Sequence, residues 1–226
     1  MQFKSNHILL GFSTFLFAYS LNNTIDLWYA ILLGSAVLVY YTFPRASLIM
    51  WVYLFFGLCL VLTFTWTASN VLVFPLLMAI ILTITYPWFR EIPWAKTPII
   101  ASSWTMFMLS SMSTPEEINL VSCLVLLLLF GVLATASDVK DSEFDSIRLK
   151  TLPQVLPWFV LRWVIFGIIC LILGLTLFFL PNWLLGAIFF GAFSSFVLLR
   201  NWKIPRIFDL DPGLLLFALG NLLYFR

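Results

Sequence analysis

INLVSCLVLLLLFGVLATAS spans Ile118 to Ser137 and contains no charged side chain. Its length matches the roughly 20 apolar residues that a helix needs to cross the hydrocarbon core of a bilayer. Similar runs recur through the chain, and 62% of its 226 residues are hydrophobic whereas 10% are charged. A soluble domain has about 45–50% apolar and about 25% charged residues. We therefore interpret the chain as a polytopic membrane protein.

Apolar segments can be counted along the chain at about 6–21, 25–43, 47–66, 70–86, 98–113, 118–137, 156–180, 183–200 and 208–225. Each is predicted to be a helix, because a strand with open edges cannot satisfy its backbone groups in lipid. The predicted fold class is all-α, a transmembrane bundle of about nine helices. No long polar linker divides the chain, so residues 1–226 are predicted to form one membrane domain whose N-terminal run is a retained first helix.

Basic residues lie on one side of this predicted bundle. If the helices alternate in direction, that side carries Lys4, Arg45, Arg90, Lys96, Lys140, Arg148, Lys150, Arg162, Arg200, Lys203 and Arg206. The opposite side carries Asp26, Glu116 and Glu117, and among the basic residues Arg226 falls there. Lys and Arg enrichment marks the cytoplasmic face. The chain is thus predicted to be multi-pass in the inner (cytoplasmic) membrane, with a cytoplasmic N-terminus.

The acidic residues gather directly after the run from Ile118 to Ser137, in ASDVKDSEFDSIRLKTLP (Ala136–Pro153). Asp138, Asp141 and Asp145 are spaced i, i+3, i+7, so they share one face if the helix continues past Ala136. Stacked carboxylates repel unless a cation lies there, and Mg²⁺ is commonly held by carboxylates together with substrate phosphates. A magnesium–diphosphate site and a solvated cytoplasmic loop that only sets topology are both compatible with this spacing.

DVKDSEFDSIRLKTLP resembles the second aspartate-rich motif of the UbiA superfamily of intramembrane prenyltransferases, approximately D-x-K-D-x-E-G-D followed by K-T-L-P. The matching residues are Asp138, Lys140, Asp141, Glu143, Asp145, Lys150, Thr151, Leu152 and Pro153. Phe144 replaces the family's glycine, and the spacer before Thr151 is about a residue shorter. A second stretch, REIPWAKTPIIASSW (Arg90–Trp104), is similar to a basic loop of the superfamily in which a lysine aligned with Lys96 contacts the diphosphate.

The chain departs from the superfamily where a first motif, N-D-x-x-D-x-x-x-D, should follow the second helix. The corresponding stretch, LVYYTFPRASLIMW (Leu38–Trp51), contains no acidic residue and carries Tyr40, Tyr41 and Arg45 instead. The family shares two magnesium ions between its motifs, so half of the expected ligands are missing. This chain therefore resembles a divergent branch of the superfamily.

The resemblance implies a nine-helix fold and an Mg²⁺-assisted transfer of an isoprenoid chain from a prenyl diphosphate to a lipophilic or aromatic acceptor. It implies Asp138, Asp141 and Asp145 as catalytic metal ligands. It implies Lys96, Lys150 and Arg148 as diphosphate-binding residues, and we add Arg45 as a fixed cation in place of a metal ion. The expected partners are membrane lipids and these substrates, with no nucleic acid.

The acid-free stretch keeps a second function open. A non-catalytic subunit with the same scaffold would bind lipid or assemble a larger membrane complex. A transporter is a weaker third interpretation, because the sequence shows no repeat symmetry. Asp209 and Asp211 are interpreted as acids at a helix N-terminus rather than as additional metal ligands. The cysteines Cys59, Cys123 and Cys170 are interpreted as buried, inert thiols.

Overall fold

The computed structural model of the protein describes residues 12–17, 19–20, 73–89, 92, 95–110, 118–141, 151–201 and 209–224. Within these ranges all regular structure is helical and no strand occurs. The helices are α1 (Val73–Phe89), α2 (Lys96–Ser110), α3 (Leu120–Asp141), α4 (Leu152–Val155), α5 (Trp158–Phe179), a 3₁₀ helix (Pro181–Trp183), α6 (Leu184–Arg200) and α7 (Asp211–Tyr224). Residues 12–17 and 19–20 are also helical. The predicted all-α class is therefore confirmed for the described residues.

Three stretches are long and apolar enough to cross a membrane, namely Leu120–Val139, Trp158–Phe179 and Pro181–Arg200. The helices α1, α2 and α7 overlap three further predicted segments, and they have 17, 15 and 14 residues. The predicted segments at 25–43 and 47–66 lie outside the described residues. The described part of the chain thus supports a helical membrane protein, and the number of nine helices stays a prediction.

Two helix ends differ from the sequence-based boundaries. The helix α2 begins at Lys96 rather than at residue 98, because Pro98 is tolerated in a first turn, where its missing N–H would have no partner. The helix α3 continues to Asp141 rather than stopping at residue 137. Its start is set by Asn119, whose side chain accepts a hydrogen bond from the Ser122 N–H at 2.7 Å. Both extensions bring charged residues into helical turns.

The faces of α5 show why the bundle needs an apolar solvent. Its buried residues recur at helical spacing, namely Leu161, Arg162, Ile165, Ile169, Ile172 and Thr176. The opposite face exposes Phe159, Trp163, Val164, Leu171 and Phe178. A continuous apolar face of this kind would be costly in water, because its hydration free energy scales with its area. In a bilayer the same face lies against lipid without that cost.

The helices α6 and α7 pack antiparallel at very short distance through glycines. A Cβ added to Gly220 would lie 2.6 Å from the Gly186 Cα, so the two backbones touch directly. Small residues at helix crossings are typical of membrane bundles, where close backbone approach replaces the hydrophobic effect. The helix α5 joins the pair, because the Trp158 Nε1–H donates a hydrogen bond to the Asn201 carbonyl at 2.9 Å.

Aromatic side chains form the centre of the bundle. The Phe17 ring packs edge-on against Phe130 of α3 at 5.9 Å and lies 5.2 Å from Phe217 of α7. Trp104 of α2 stacks on Phe130 at 5.8 Å. The helical stretch at residues 12–17 therefore lies between elements from both halves of the described chain, and it joins them in one hydrophobic core.

Candidate functional site

The helix α3 carries a buried carboxylate near its C-terminal end. Asp138 is 1% exposed, and its helical neighbours Ala134, Thr135, Ala136 and Val139 are also buried. This last part of α3 is therefore surrounded by protein on most sides. Ionised carboxylates are rarely buried without a partner, because the loss of hydration is expensive. The structure supplies an ammonium contact for one carboxylate oxygen and a hydroxyl hydrogen bond for the other.

Both partners come from the first turn of α2. The Lys96 Nζ lies 2.8 Å from the Asp138 Oδ1, and the Lys96 side chain is 12% exposed. The Thr97 Oγ1 donates a hydrogen bond to the Asp138 Oδ2 at 2.7 Å. Consecutive residues at a helix start thus bind the two oxygens of one carboxylate. We refer to Lys96, Thr97 and Asp138 as the ion-pair site.

The position of α2 makes this pairing possible. A turn of hydrogen bonds, Ile92 N–H to Phe89 carbonyl at 2.9 Å and Ala95 N–H to Ile92 carbonyl at 3.2 Å, connects α1 to α2. A hydrogen bond of 2.9 Å between the hydroxyls of Thr83 and Ser103 joins the two helices further along. These contacts hold α2 against α1. The contacts of Lys96 and Thr97 with Asp138 show that the N-terminus of α2 lies beside the C-terminal end of α3, where the dipole of α2 favours a carboxylate.

Two of the predicted site residues, Lys96 and Asp138, are brought together by the structure. They come from the two separate stretches that resemble the superfamily. Asp141 follows Asp138 on α3, one turn further on, but its side chain lies outside the described part of the structure. The remaining predicted site residues, Asp145, Arg148, Lys150 and Arg45, also lie outside the described residues.

As it lies, the Asp138 carboxylate is a poor fit to a magnesium ion. The ammonium 2.8 Å from Oδ1 would leave an ion bound to that oxygen about 4 Å from a positive charge. At an effective dielectric constant of about 20, two unit charges ~4 Å apart interact by about 4 kcal/mol, and a divalent ion doubles this repulsion. Among the described residues no group of three His, Cys, Asp or Glu side chains is placed to hold a metal.

Thr97 is the site residue that the sequence analysis missed. Its hydroxyl is buried against α3, and its role depends on a residue 41 positions away in the chain. A threonine beside a lysine at the start of a predicted helix is the signal that was present in the sequence. That signal is weak, because threonine at a helix start usually serves the helix itself.

Arg162 is a second cation inside the bundle. It lies in the first turns of α5, is 9% exposed, and its guanidinium carbon is 4.8 Å from the centre of the Phe159 ring. An arginine over an aromatic face gains a cation–π interaction, which is stronger away from water. Charged residues in membrane-spanning helices are rare and tend to be functional. Arg162 therefore places a positive charge inside the protein, on a helix that is long and apolar enough to cross a membrane.

Asp209 has a local structural role at the start of α7. Its Oδ1 accepts a hydrogen bond from the Asp211 N–H at 3.0 Å, which satisfies one of the free amides of a helix start. This geometry agrees with the predicted helix N-terminal role of the two aspartates.

The cysteines differ in part from the sequence-based interpretation. Cys170 is exposed on the apolar face of α5 rather than buried, and Cys123 is half-buried. The reason is that an apolar helix face that meets lipid accepts a thiol as readily as a protein core does. Both thiols are free, and Cys59 lies outside the described residues.

In its described part the chain is a helical bundle with three helices long and apolar enough to cross a membrane, as in a membrane protein, and with a buried lysine–aspartate pair between two helix ends. Comparison with protein-family models, with curated protein sequences and with solved structures found no match. The function is therefore argued from the residues themselves.

Proposed function

We propose that this chain is a UbiA-like intramembrane prenyltransferase, which transfers an isoprenoid chain from a prenyl diphosphate to a lipophilic or aromatic acceptor. The observation that carries the proposal is the contact between Lys96 and Asp138. The two stretches that resemble the superfamily lie far apart in sequence, and one charged residue from each meets in a buried site.

Lys96 is the residue that would bind the donor's diphosphate. An ammonium group has three N–H donors, so Lys96 can keep its contact with Asp138 and still donate to a phosphate oxygen. Its side chain is 12% exposed, whereas Asp138 is 1% exposed, so the cation is the more accessible partner. The site thus offers an anionic group an ammonium donor that is already paired with one carboxylate, in surroundings that hold little water.

This charge would act on the leaving group. In the proposed reaction the bond between the donor's allylic carbon and its diphosphate oxygen breaks, and the electron pair leaves with the diphosphate. The acceptor's nucleophile then bonds to the allylic carbon and loses a proton. A fixed cation stabilises the negative charge that develops on the leaving oxygen, and such preorganised electrostatics commonly form the largest part of catalysis. Exclusion of water protects the allylic cation from hydrolysis.

The proposal includes nine spans, a cytoplasmic N-terminus and a site at the cytoplasmic side. It is supported by the alternation of basic connections along the sequence and by the length of Leu120–Val139, Trp158–Phe179 and Pro181–Arg200. The ion-pair site joins the first turn of α2 to the last turn of α3, at the side to which the basic connections are assigned.

Turnover by the purified protein tests this proposal. The protein in lipid nanodiscs would be incubated with Mg²⁺, with allylic prenyl diphosphates of increasing chain length and with aromatic and lipid acceptors, and released diphosphate would be measured. Lys96→Met should lower kcat/KM by about 100-fold or more, as loss of one charge-stabilising donor does in other enzymes. Arg200→Met is the matched control, because this exposed cation ends α6. Absence of turnover by folded wild-type protein across all donors would defeat the proposal.

A second candidate is a non-catalytic subunit that binds lipid or assembles a membrane complex. The observation that favours it is that both Asp138 oxygens contact protein groups in a 1% exposed site, as in a purely structural ion pair. Replacing both members of a buried pair by apolar residues is often neutral for stability. The subunit role therefore predicts that Lys96→Met combined with Asp138→Leu keeps biological activity and the native complex, whereas the enzyme role predicts loss of activity.

A further inference from the structure

The arrangement of the ion-pair site separates the roles of its two charged residues. The Asp138 Oδ2 accepts a hydrogen bond from Thr97 and the Oδ1 faces Lys96. With one oxygen held by a short hydroxyl hydrogen bond, the carboxylate plane has little freedom to rotate. The second oxygen is thereby directed at the ammonium group, and the lysine is held by a fixed partner.

A lysine needs such a partner more than most cations do. Its ammonium is a point charge on a flexible four-carbon stem, so it has many positions available before a ligand arrives. A catalytic group acts well only when it is already in place, because ordering it during the reaction raises the barrier. The carboxylate on α3 restricts the Lys96 stem to the space beside α3.

Thr97 contributes to the positioning of Lys96 within the ion-pair site. Its hydroxyl and the Lys96 ammonium project from successive positions of the α2 first turn to one carboxylate. Both donors are largely buried, and they differ in charge, since the Thr97 hydroxyl is neutral whereas the Lys96 ammonium is the one with a charge to offer. Thr97 thus holds the Asp138 carboxylate in place, and the carboxylate in turn holds the Lys96 ammonium.

We infer that Asp138 and Thr97 are positioning residues that hold the Lys96 ammonium for an anionic diphosphate ligand, and that Asp138 is not a magnesium ligand. This assignment rests on the proposed function, since it takes Lys96 as the group that contacts the diphosphate. It changes the role that the resemblance implies for Asp138, because the short contact with a cation disfavours a divalent ion on the same oxygen.

The test compares Asp138→Asn, Thr97→Val and Thr97→Ser with wild-type protein. Activity would be measured against both donor and Mg²⁺ concentration. A second readout, independent of turnover, is the rise in melting temperature that inorganic diphosphate produces in nanodisc-embedded protein, measured with and without Mg²⁺. Asp138→Asn and Thr97→Val should each raise the diphosphate concentration for half-maximal stabilisation by about tenfold, and Thr97→Ser should restore it to within about twofold. The Mg²⁺ concentration for half-maximal activity should stay within about twofold in every variant.

The possible negative results distinguish the proposed function from the assignment of Asp138 and Thr97 as positioning residues. A wild-type protein that neither turns over a donor nor is stabilised by diphosphate defeats the proposed function, and the assignment with it. A wild-type protein that does both, together with an Asp138→Asn variant whose Mg²⁺ midpoint rises tenfold at unchanged diphosphate binding, defeats the assignment alone. If Thr97→Val binds diphosphate as wild type does, the assignment of Thr97 as a positioning residue is wrong.

Discussion

Lys96 and Asp138 form a buried ion pair that joins the first turn of α2 to the last turn of α3, with 2.8 Å between the ammonium nitrogen and Oδ1. Thr97 completes the contact from the same turn. Helices of a membrane bundle gain little from apolar contacts with one another, because lipid offers the same contacts. A buried polar junction is therefore a specific connection between these two helices.

Single and double substitutions should reveal how much the ion pair contributes to the free energy of unfolding. Lys96→Met and Asp138→Leu alone should each lower the free energy of unfolding by about 3 kcal/mol, because each leaves an uncompensated buried charge. The double variant should recover most of this loss, since no charge is left in the site. Unfolding in mixed detergent micelles, with Arg200→Met as control, measures these differences. Single variants as stable as wild type would show that the pair is hydrated in solution.

The glycine contact between α6 and α7 should not tolerate a methyl group. Gly220→Ala would place a Cβ against the Gly186 backbone, which cannot move aside as a side chain can, so a loss of about 2 kcal/mol or more is expected. Gly167→Ala is the matched control, because a Cβ there meets no atom of the described residues within 4 Å apart from its own helix backbone and chain neighbours. The control should be neutral or slightly stabilising, since alanine has the higher helix propensity. Equal melting temperatures of both variants would contradict the close packing.

Replacement of Ser194 by alanine, in contrast to Gly220→Ala, should not lower the free energy of unfolding. The Ser194 hydroxyl is fully buried on α6 and has no hydrogen-bond partner among the residues that the structure describes. Ser194→Ala removes an unsatisfied polar group, so the free energy of unfolding should stay equal or rise by about 1 kcal/mol. Ser122→Ala should instead cost about 1 kcal/mol, because the Ser122 hydroxyl donates to the Asn119 carbonyl at 2.8 Å. A loss of stability in Ser194→Ala would mean that its hydroxyl finds a partner in the membrane.

The exposed face of α5 should lie against lipid. In a protein that keeps Cys170 and has alanine at Cys59 and Cys123, a nitroxide on Cys170 should be relaxed by oxygen, which concentrates in the bilayer, and much less by an aqueous nickel complex. The exposure of Cys170 beside Leu171 on an apolar helix face is the reason. A label that responds mainly to nickel would place this face in water and would contradict membrane insertion of α5.

Some elements were predictable because they depend on local composition. The run from Ile118 to Ser137 predicts a helix whatever surrounds it, and α3 follows it closely. The end of α3 was predicted four residues too early. The apolar composition ends at residue 137, whereas the helix continues until its backbone hydrogen bonds end at Asp141. The start of α2 was missed for a related reason, since the apolar segment begins only after Lys96 and Thr97, whereas the helix includes both because Pro98 is accepted in a first turn.

The sequence by itself determined that this protein is helical and made for a membrane, because hydrocarbon demands apolar side chains and an internally bonded backbone. It also marked Lys96 and Asp138 as unusual charges in an apolar chain. Only the tertiary structure decided that the two touch, that Thr97 holds the second oxygen, and which face of α5 meets lipid. Helical periodicity defines the faces of each helix, but the neighbour of each face is set by packing between helices that are distant in sequence.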